Sequence, residues 1–439
     1  MEQRLLRKPE IAAQYHDFLA EYKSMDHMEE VRPHESPRVP PVYIPHHFVL
    51  RESSSTTKLR VVFNASCKTS DGTSLNDHLM VGPKLQQDIA AIILRWRQFR
   101  HVYTADIAKM FRQILIHPDD ADFQRILWRL PHAQSIQHYR LLTVTYGMAS
   151  APYLAMRVLQ QLALDEGSAF PAALPICKNS IYVDDVLFGA DDIMTLREAR
   201  SQLVSLMDRG GFPLRKWTAN STELLEDIPD DQRESSDRPI NKDDSLKVLG
   251  LSWSPHEDSF RFLISPYMQT VHTKRSVLSF IARLYDPLGW ASPVVISAKI
   301  LMQELWLRKL GWDSPVPNDL LKQWTDYCSD LPHLSGTRVP RWTGMHEKKI
   351  GLELHGFADA STRAYAAVVY IRILHSLTDI QVSLIAGKTK VAPLKTVSVP
   401  HLELNAVALL SRLMDWVRST LKLDQIPLYG WTDSTIALA

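Results

Sequence analysis

Cysteine is scarce in this sequence, and so is net charge of either sign. Three cysteines, Cys67, Cys177 and Cys328, are spread over 439 residues, an odd number without Cys-x-x-Cys spacing. This argues against a disulfide framework and a cysteine zinc site, and predicts a reducing compartment. The formal net charge is +1. Any contact with a polyanion therefore has to come from local clusters of cations rather than from global attraction.

Long apolar runs are lacking as well. The longest uncharged stretch runs from Leu141 to Met156 and is interrupted by Thr, Tyr, Gly, Ser and Pro, whereas a membrane helix needs about 20 apolar residues. Residues 1–10 are rich in charge, and no apolar signal segment follows them. The sequence therefore predicts an intracellular, cytoplasmic protein without membrane contact.

What is present is an ordinary globular composition, with 45% hydrophobic and 23% charged residues. The length suffices for two or three domains of about 150 residues each. Strand-like runs such as Leu59 to Phe63 are mixed with helical patterns such as Tyr153 to Leu164, and this mixture predicts an α+β fold. Residues 23–45, rich in Pro and charge, and the acidic residues 226–244 are predicted loops.

Two adjacent acids interrupt an apolar run near the middle of the chain. Asp184 and Asp185 lie between Ile181-Tyr182-Val183 and Val186-Leu187-Phe188. Neighbouring carboxylates between buried strands repel each other and lose hydration unless a cation compensates. The pattern predicts a β-hairpin that offers both acids to a divalent ion. The alternative is a solvated tight turn.

A third acid follows another strand. Asp106 comes directly after the run His101 to Ala105, and residues 107–114 are predicted to be helical. Taken alone, Asp106 is more simply a helix N-cap. Together with Asp184 and Asp185 it supplies the carboxylates that hold two hard cations about 3.5–4 Å apart, an arrangement that activates an attacking hydroxyl and stabilises a leaving phosphate.

These residues carry a family resemblance. Tyr182-Val183-Asp184-Asp185 resembles the catalytic box of reverse transcriptases, and the stretch Asp106 to Phe111 resembles the aspartate box that precedes it. The stretch Tyr146 to Pro152 is similar to the segment of retrotransposon polymerases under the templating base and incoming nucleotide. Residues 211–217 and 248–251 fall where these enzymes place the late palm lysine and the primer-grip turn. Residues 274–306 resemble the Bel/Pao branch of long-terminal-repeat retrotransposons in particular.

The resemblance implies an RNA-directed DNA polymerase. It would use an RNA or DNA template with a primer, deoxynucleoside triphosphates and two Mg²⁺ ions held by Asp106, Asp184 and Asp185. Lys216 would protonate the departing pyrophosphate. The implied substrate contacts are Lys58, Arg60, Phe111, Tyr146, Gly147 and Tyr182.

Several of these residues have a simpler interpretation. Lys58 and Arg60 share one strand face. Beside the polymerase boxes, the resemblance implies that they clamp the triphosphate. Taken alone, the two residues are more simply part of a solvated strand edge. Phe111 would exclude a ribose 2′-hydroxyl, or belong to the core. Lys216 could equally be a surface lysine. The stretch Arg95 to Arg100 interleaves cations with aromatics and could follow a template backbone or form a solvated helix face.

A second acidic constellation lies near the end of the sequence. Asp359 closes a predicted strand, Glu403 opens a predicted helix that runs from His401 to about Leu421, and Asp433 closes another strand. Singly, each is a plausible strand-end cap or first-turn charge. Their order resembles a ribonuclease H domain, whose carboxylates hold two Mg²⁺ ions. No acid follows Asp433 in this sequence, so weak metal binding and little or no hybrid cleavage are expected.

The resulting expectation is a right-hand polymerase, with fingers, palm and thumb/connection, followed by a truncated ribonuclease H-like α/β domain. The expected boundaries are 1–39 for an extended lead-in, 40–255 for fingers and palm, 256–345 for a mainly helical thumb/connection, and 346–439 for the partial ribonuclease H-like domain. Two alternatives stay open: a non-catalytic nucleic-acid-binding remnant of a decayed element, and an unrelated magnesium-dependent phosphotransferase. The sequence leaves the oligomeric state open.

Overall fold

The computed structural model describes residues 1–32, 35, 37, 39–50, 59–129, 135–234, 246–264, 273–346 and 349–438. The chain forms two compact units. Unit 1 comprises Met1–Gln86, Ile107–Lys178 and Gln202–Leu214. Unit 2 comprises Gln87–Asp106, Asn179–Ser201 and Arg215–Ala439.

The secondary structure of the described residues mixes helices and strands throughout. The strands are β1 (Met28–Glu30), β2 (His46–Leu50), β3 (Leu59–Phe63), β4 (His101–Ile107), β5 (Arg125–Trp128), β6 (Gln137–Leu141), β7 (Ile181–Tyr182), β8 (Asp185–Ala190), β9 (Leu214–Ala219), β10 (Leu246–Val248), β11 (Leu251–Ser254), β12 (Ser259–Arg261), β13 (Arg338–Pro340), β14 (Gly351–Ala360), β15 (Ala364–Leu374), β16 (Ile380–Val391) and β17 (Leu428–Trp431).

The α-helices are α1 (Glu2–Leu6), α2 (Pro9–Ser24), α3 (Leu75–His78), α4 (Ile89–Trp96), α5 (Ala151–Asp165), α6 (Leu174–Asn179), α7 (Ile193–Arg209), α8 (Lys274–Ile281), α9 (Ser292–Leu307), α10 (Asn318–Asp330), α11 (Val399–Leu421) and α12 (Thr435–Leu438). Short 3₁₀ helices occur at Met110–Gln113, Pro118–Gln124, Gly167–Ala169, Thr222–Leu225, Asp230–Gln232 and Leu331–Gly336.

Unit 1 packs α2 and two small sheets, β1-β6-β5 and β2-β3, around one core. Helix α2 contributes Tyr15, Leu19 and Tyr22, each at most 1% exposed. Their spacing of four and three residues places them on one face of a helix. The extended lead-in predicted for residues 1–39 is therefore wrong over α1 and α2. The prediction missed these helices because charged residues dominate the composition around the apolar stripe. Strand β1 likewise replaces part of the predicted loop at residues 23–45.

In unit 2 the first sheet has the order β7-β8-β4-β9. Strand β8 runs antiparallel to both β7 and β4, and helix α4 packs against β8. A second sheet joins β10, β11, β12 and β13 in sequence order. Helices α8, α9 and α10 form a separate apolar cluster around Phe280 and Trp324. Residues 286–289 lie between α8 and α9.

The third sheet of unit 2 has the order β16-β15-β14-β17. Strands β14, β15 and β16 are antiparallel, whereas β17 runs parallel to β14. Helix α11 packs against β14 and β15 through buried residues such as Leu402, Ala406 and Leu410. The sheet therefore has three antiparallel strands, a parallel fourth strand and one covering helix. This arrangement places the ends of β14 and β17 beside the start of α11.

None of the described helices combines the length and the apolar character that a bilayer crossing needs.

Candidate functional site

The first carboxylate cluster consists of Asp106, Asp184 and Asp185, all in unit 2. Strands β7 and β8 form the predicted hairpin, in which Tyr182 pairs with Asp185 across a two-residue turn. Asp184 lies in this turn, preceded by Val183 with φ of 53°. A β-branched residue in the left-handed region is strained, and such strain is often found at functional sites.

Asp106 lies directly opposite Asp185 in the antiparallel pair of β4 and β8. Opposed residues of neighbouring strands project from the same face of a sheet. Asp106 is thus a strand residue and not a helix N-cap. The helix predicted at residues 107–114 is wrong: β4 continues to Ile107, and a short 3₁₀ helix follows at Met110–Gln113.

Two cations of the same unit pair with Asp106. The Arg215 Nε lies 3.2 Å from one Asp106 oxygen, and the Lys216 Nζ lies 3.5 Å from the other. Burial and the charges of Asp184 and Asp106 raise the pKa of Asp185 to about 7, while Lys216 opposes that shift. Asp185 is therefore costly to ionise beside the two other carboxylates. A bound divalent ion would lower this cost, so the electrostatic environment favours binding of such an ion.

A cavity of about 200 Å³ opens beside the cluster, lined by Asp106, Asp185, Lys216 and Glu234 among others. Burial raises the pKa of the Glu234 carboxyl. Sequence reasoning missed Glu234, because it lies in an acidic stretch with the composition of a loop. It also gave Arg215 no role, although this residue adjoins Lys216 in the segment identified as the late palm lysine.

Tyr182 is half-buried at the end of β7. Of the remaining predicted contacts, Tyr146 and Gly147 lie in unit 1, where the Tyr146 ring packs 5.4 Å from that of Phe63. Gly147 has φ of 96°, and a Cβ at this position would lie 2.3 Å from the Phe63 carbonyl oxygen. Only glycine fits here, since both the backbone conformation and the space exclude a side chain.

Arg60, Lys58 and Phe111 were predicted from the same resemblance. Arg60 is exposed on β3 between the buried Leu59 and Val61. Phe111 is half-buried in the 3₁₀ helix Met110–Gln113. Lys58 lies outside the described residues. The roles of all three stay predictions.

The proposed template contact at Arg95 to Arg100 is wrong for its central residues. Trp96 and Arg97 are each 1% exposed. The Arg97 guanidinium donates to the carbonyl oxygens of Pro340, Arg341 and Leu384 at 2.8–3.1 Å. A guanidinium that is fully enclosed by backbone acceptors serves the packing of unit 2 and cannot reach a phosphate.

The second carboxylate cluster consists of Asp359, Glu403 and Asp433. One oxygen of each carboxylate lies within 4.8 Å of the others. The parallel register pairs Phe357 with Trp431, so Asp359 and Asp433, each two residues further on, lie level with each other. Glu403 reaches them from the N-terminal part of α11.

Glu403 is the most constrained member of this cluster. Burial and the charges of Asp359 and Asp433 raise the pKa of its carboxyl. Its Oε2 is buried and accepts no hydrogen bond. A buried carboxylate oxygen without a donor is costly, and a divalent cation is the partner that three oxygen ligands suit. The residues therefore fit a metal site of the kind that the sequence predicts.

Comparison with known proteins identifies a family over the region that holds the second acidic cluster. Residues 273–434 match the family model described as Pao retrotransposon-like RNaseH-like domain. The predicted relationship to a Bel/Pao-type retroelement is therefore confirmed, and the chain carries a Pao retrotransposon-like domain over these residues. A comparison with curated protein sequences finds no match.

Two solved structures with a similar fold are foamy viral proteins. A foamy viral protease-reverse transcriptase in complex with double-stranded DNA gives a TM-score of 0.58 at 13% identity, over 95% of this chain and 62% of that one. The foamy viral protease-reverse transcriptase in complex with an RNA/DNA hybrid gives 0.54 at 12% identity, over 91% and 46%. The chain thus spans less than two thirds of the length of either protein. This likeness shows a fold similar to that of a viral reverse transcriptase, in agreement with the predicted mixture of helices and strands, and the ribonuclease H-like part is shown by the family model over residues 273–434.

Proposed function

We propose that the chain is an RNA-directed DNA polymerase of a retrotransposon, with unit 2 supplying the acids of the active site. The observation that carries the proposal is the placement of Asp106 opposite Asp185, with Asp184 in the adjoining turn. Two acids on neighbouring strands and a third in the adjoining turn, beside a cavity and a lysine, match the needs of nucleotidyl transfer.

Asp106, Asp184 and Asp185 would hold two Mg²⁺ ions, which lower the pKa of the primer 3′-hydroxyl and stabilise the leaving oxygens when bound. Lys216 lies 3.5 Å from an Asp106 oxygen, close enough to the acids to give a proton to pyrophosphate as it departs. The pKa of Asp185, raised to about 7, makes this carboxylate ready to exchange a proton for a cation.

The remaining roles follow from the resemblance. Arg60 and Lys58 bind the triphosphate, and Phe111 excludes the 2′-hydroxyl of a ribonucleotide. Gly147 lets the backbone of its loop approach β3 closely, and with Tyr146 it supports the templating base. Tyr182 ends the strand that leads into the acidic turn.

Primer extension on an RNA template with Mg²⁺ tests the proposal. Extension that requires both template and primer supports it. Binding of primer-template without extension favours the non-catalytic remnant. Phosphoryl transfer that is indifferent to primer-template favours the unrelated phosphotransferase. Omission of Mg²⁺ is the matched control for a metal-dependent reaction.

A second candidate function is metal-dependent cleavage of RNA in an RNA–DNA hybrid. The observation that favours it is the gathering of Asp359, Glu403 and Asp433 around one point, with the Glu403 Oε2 unpartnered. This candidate opposes the expectation of an inactive region. Hybrid cleavage by the chain, lost on Asp359→Asn while extension persists, would establish it. Absence of cleavage at metal concentrations that support extension would leave the region inactive, as the sequence predicts.

A further inference from the structure

A buried arginine of unit 1 joins helix α2 to the 3₁₀ helix Met110–Gln113. This residue, Arg112, lies within the 3₁₀ helix. Its Nε donates to the His27 Nδ1 at 2.9 Å, and one of its terminal nitrogens donates to a Glu21 oxygen at 3.2 Å. Its guanidinium also lies 4.0 Å from the centre of the Tyr22 ring. The arginine is thus held by partners from α2 and from the turn that follows it.

The Glu21 carboxylate holds the segment around Phe111 from both sides. The oxygen that accepts from Arg112 also accepts from the Lys109 Nζ. Lys109 has φ of 53°, a left-handed conformation that persists in a lysine only where its surroundings enforce it. Burial alone would raise the pKa of the Glu21 carboxyl, but the two cations outweigh burial and lower that pKa. The carboxylate is therefore charged at neutral pH and can hold both cations.

The other acceptor of Arg112 is a neutral imidazole. Burial and the charges of Arg112 and Lys109 lower the pKa of His27, so its Nδ1 is free to accept a hydrogen bond at pH 7. The His27 carbonyl oxygen accepts from the Leu142 N–H at 2.9 Å, which fixes the backbone of this residue. Arg112 therefore has one charged partner and one neutral partner, and each is fixed by its own element.

The residue next to Glu21 extends the same contact to Tyr146. The Tyr22 ring lies 5.9 Å from that of Phe63, which in turn lies 5.4 Å from the Tyr146 ring. Burial and the neighbouring Tyr22 raise the pKa of the Tyr146 hydroxyl. Adjacent residues of α2 thus reach both the segment that contains Phe111 and the loop that contains Tyr146.

The 3₁₀ helix that carries Phe111 is too short to fix the ring by itself. It has four residues, and the hydrogen bonds of a 3₁₀ helix have poorer geometry than those of an α-helix. Steric exclusion of one hydroxyl group requires the excluding ring to be held within about 0.5 Å, which neighbouring side chains have to secure. The contacts of Glu21 and Arg112 meet this need.

We propose that α2 sets the choice between deoxyribonucleotides and ribonucleotides by holding Phe111 in place. Glu21 and Arg112 are the positioning residues of this contact, and Tyr22 extends it to Tyr146. The inference rests on the proposed polymerase function and deepens it, because it assigns part of the sugar specificity to a helix that acts through other residues rather than by contact with the nucleotide.

Incorporation of a single nucleotide tests the proposal. The full chain extends a primer-template by one residue with Mg²⁺, and kcat/KM is measured for a deoxynucleoside triphosphate and for the matching ribonucleoside triphosphate. The test variant is Glu21→Gln, which keeps the size of the side chain and removes its charge. Lys109→Gln removes the charge at the other end of the same contact and is the second variant. The matched control is Glu30→Gln, at an acid of unit 1 that pairs with Lys23 at 3.5 Å.

Glu21→Gln and Lys109→Gln should each lower the ratio of the two kcat/KM values by about tenfold, because a small displacement of the ring admits the extra hydroxyl. Glu30→Gln should leave the ratio within about twofold of the wild type. A loss of folded protein would lower both kcat/KM values alike and leave their ratio unchanged, so the ratio measures positioning and not stability. In a Phe111→Ala background, Glu21→Gln should not change the ratio further, since both substitutions act on the same ring.

Three outcomes would contradict these expectations. A wild-type ratio in both test variants overturns the inference and leaves the polymerase function standing. A tenfold loss that persists in the Phe111→Ala background also overturns it, because Glu21 would then act by another route. A wild-type chain that incorporates neither nucleotide overturns the proposed function and the inference with it.

Discussion

The two carboxylate clusters of unit 2 contain the same number of acids and are neutralised differently. In the first cluster, Arg215 and Lys216 pair with the two oxygens of Asp106. In the second, the ligand atoms of Asp359, Glu403 and Asp433 gather within 4.8 Å of one another, and the Glu403 Oε2 has no donor. The chain's own cations pair with Asp106 in the first cluster, so an ion has to compete with them for this acid. The second cluster has more to gain from an ion.

The largest expected effect is on polymerisation. Asp184→Asn should lower primer extension by about a thousandfold or more while leaving primer-template binding within a few-fold, because a lost metal ligand affects the transition state more than the phosphate contacts. Single-turnover extension and anisotropy binding measure the two quantities. Retention of a tenth or more of the activity would show that Asp184 is not a ligand.

The next largest effect concerns metal affinity at the second cluster. Glu403→Gln, made in the Asp184→Asn background to silence the first cluster, should weaken Mn²⁺ binding by about a hundredfold, since loss of a ligand exceeds the tenfold or more typical of outer-shell changes. Electron paramagnetic resonance of free Mn²⁺ measures it.

The matched control for this measurement is Glu353→Gln on the same sheet. Glu353 is held by Arg372 at 2.7 Å and His355 at 3.0 Å, so its loss should leave Mn²⁺ affinity unchanged. Equal effects of the two substitutions would mean that general charge, and not coordination, governs binding.

Several of the strands, turns and helices that position the two clusters could be predicted from the sequence, because the patterns that indicate them are local. The run Leu59 to Phe63 is strand β3 as predicted, and the acids inside an apolar run do form a hairpin turn. The helix predicted at His401 to Leu421 is α11, which begins two residues earlier. Period and turn chemistry are short-range properties, so a single segment shows them.

The rest depends on distant partners. Arg97 lies in a segment whose composition is typical of a phosphate contact. Its guanidinium is nevertheless enclosed by carbonyl groups more than 240 residues away in sequence. Glu234 gains its raised pKa from burial beside Lys216, and nothing within its own acidic stretch indicates that burial. The ion pair of Arg215 with Asp106 joins residues 109 apart. Tertiary packing decides such contacts, and no local pattern encodes them.

A smaller effect should appear in the stability of the metal-free protein. The folded-state pKa of Asp185 is raised to about 7, above that of an unfolded aspartate, so ionisation of Asp185 costs stability. That cost is fully present above pH 7 and disappears as pH falls toward 4. Asp185→Asn should therefore stabilise the protein in EDTA by about 1–2 kcal/mol at pH 8, a value reduced for partial exposure, and by much less near pH 4.5.

Urea unfolding at the two pH values measures this difference. Asp379→Asn, at an exposed carboxylate, is the control and should change little at either pH. A stabilisation that grows as the pH falls would contradict the assigned direction of the Asp185 pKa.

The smallest expected effect tests whether the chain's own cations compete with the metal at the first cluster. Arg215 is partly exposed and lies 3.2 Å from Asp106, and exposed ion pairs contribute about 0.2–1 kcal/mol. Arg215→Ala should therefore lower the Mg²⁺ concentration for half-maximal extension by about two- to fivefold, because Asp106 then loses one of its two competing cations. Arg209→Ala, at an exposed arginine of α7, should leave that concentration unchanged. A rise in the Mg²⁺ requirement would mean that Arg215 assists metal binding, and the contrast between the two clusters would then lie in geometry rather than in competition for charge.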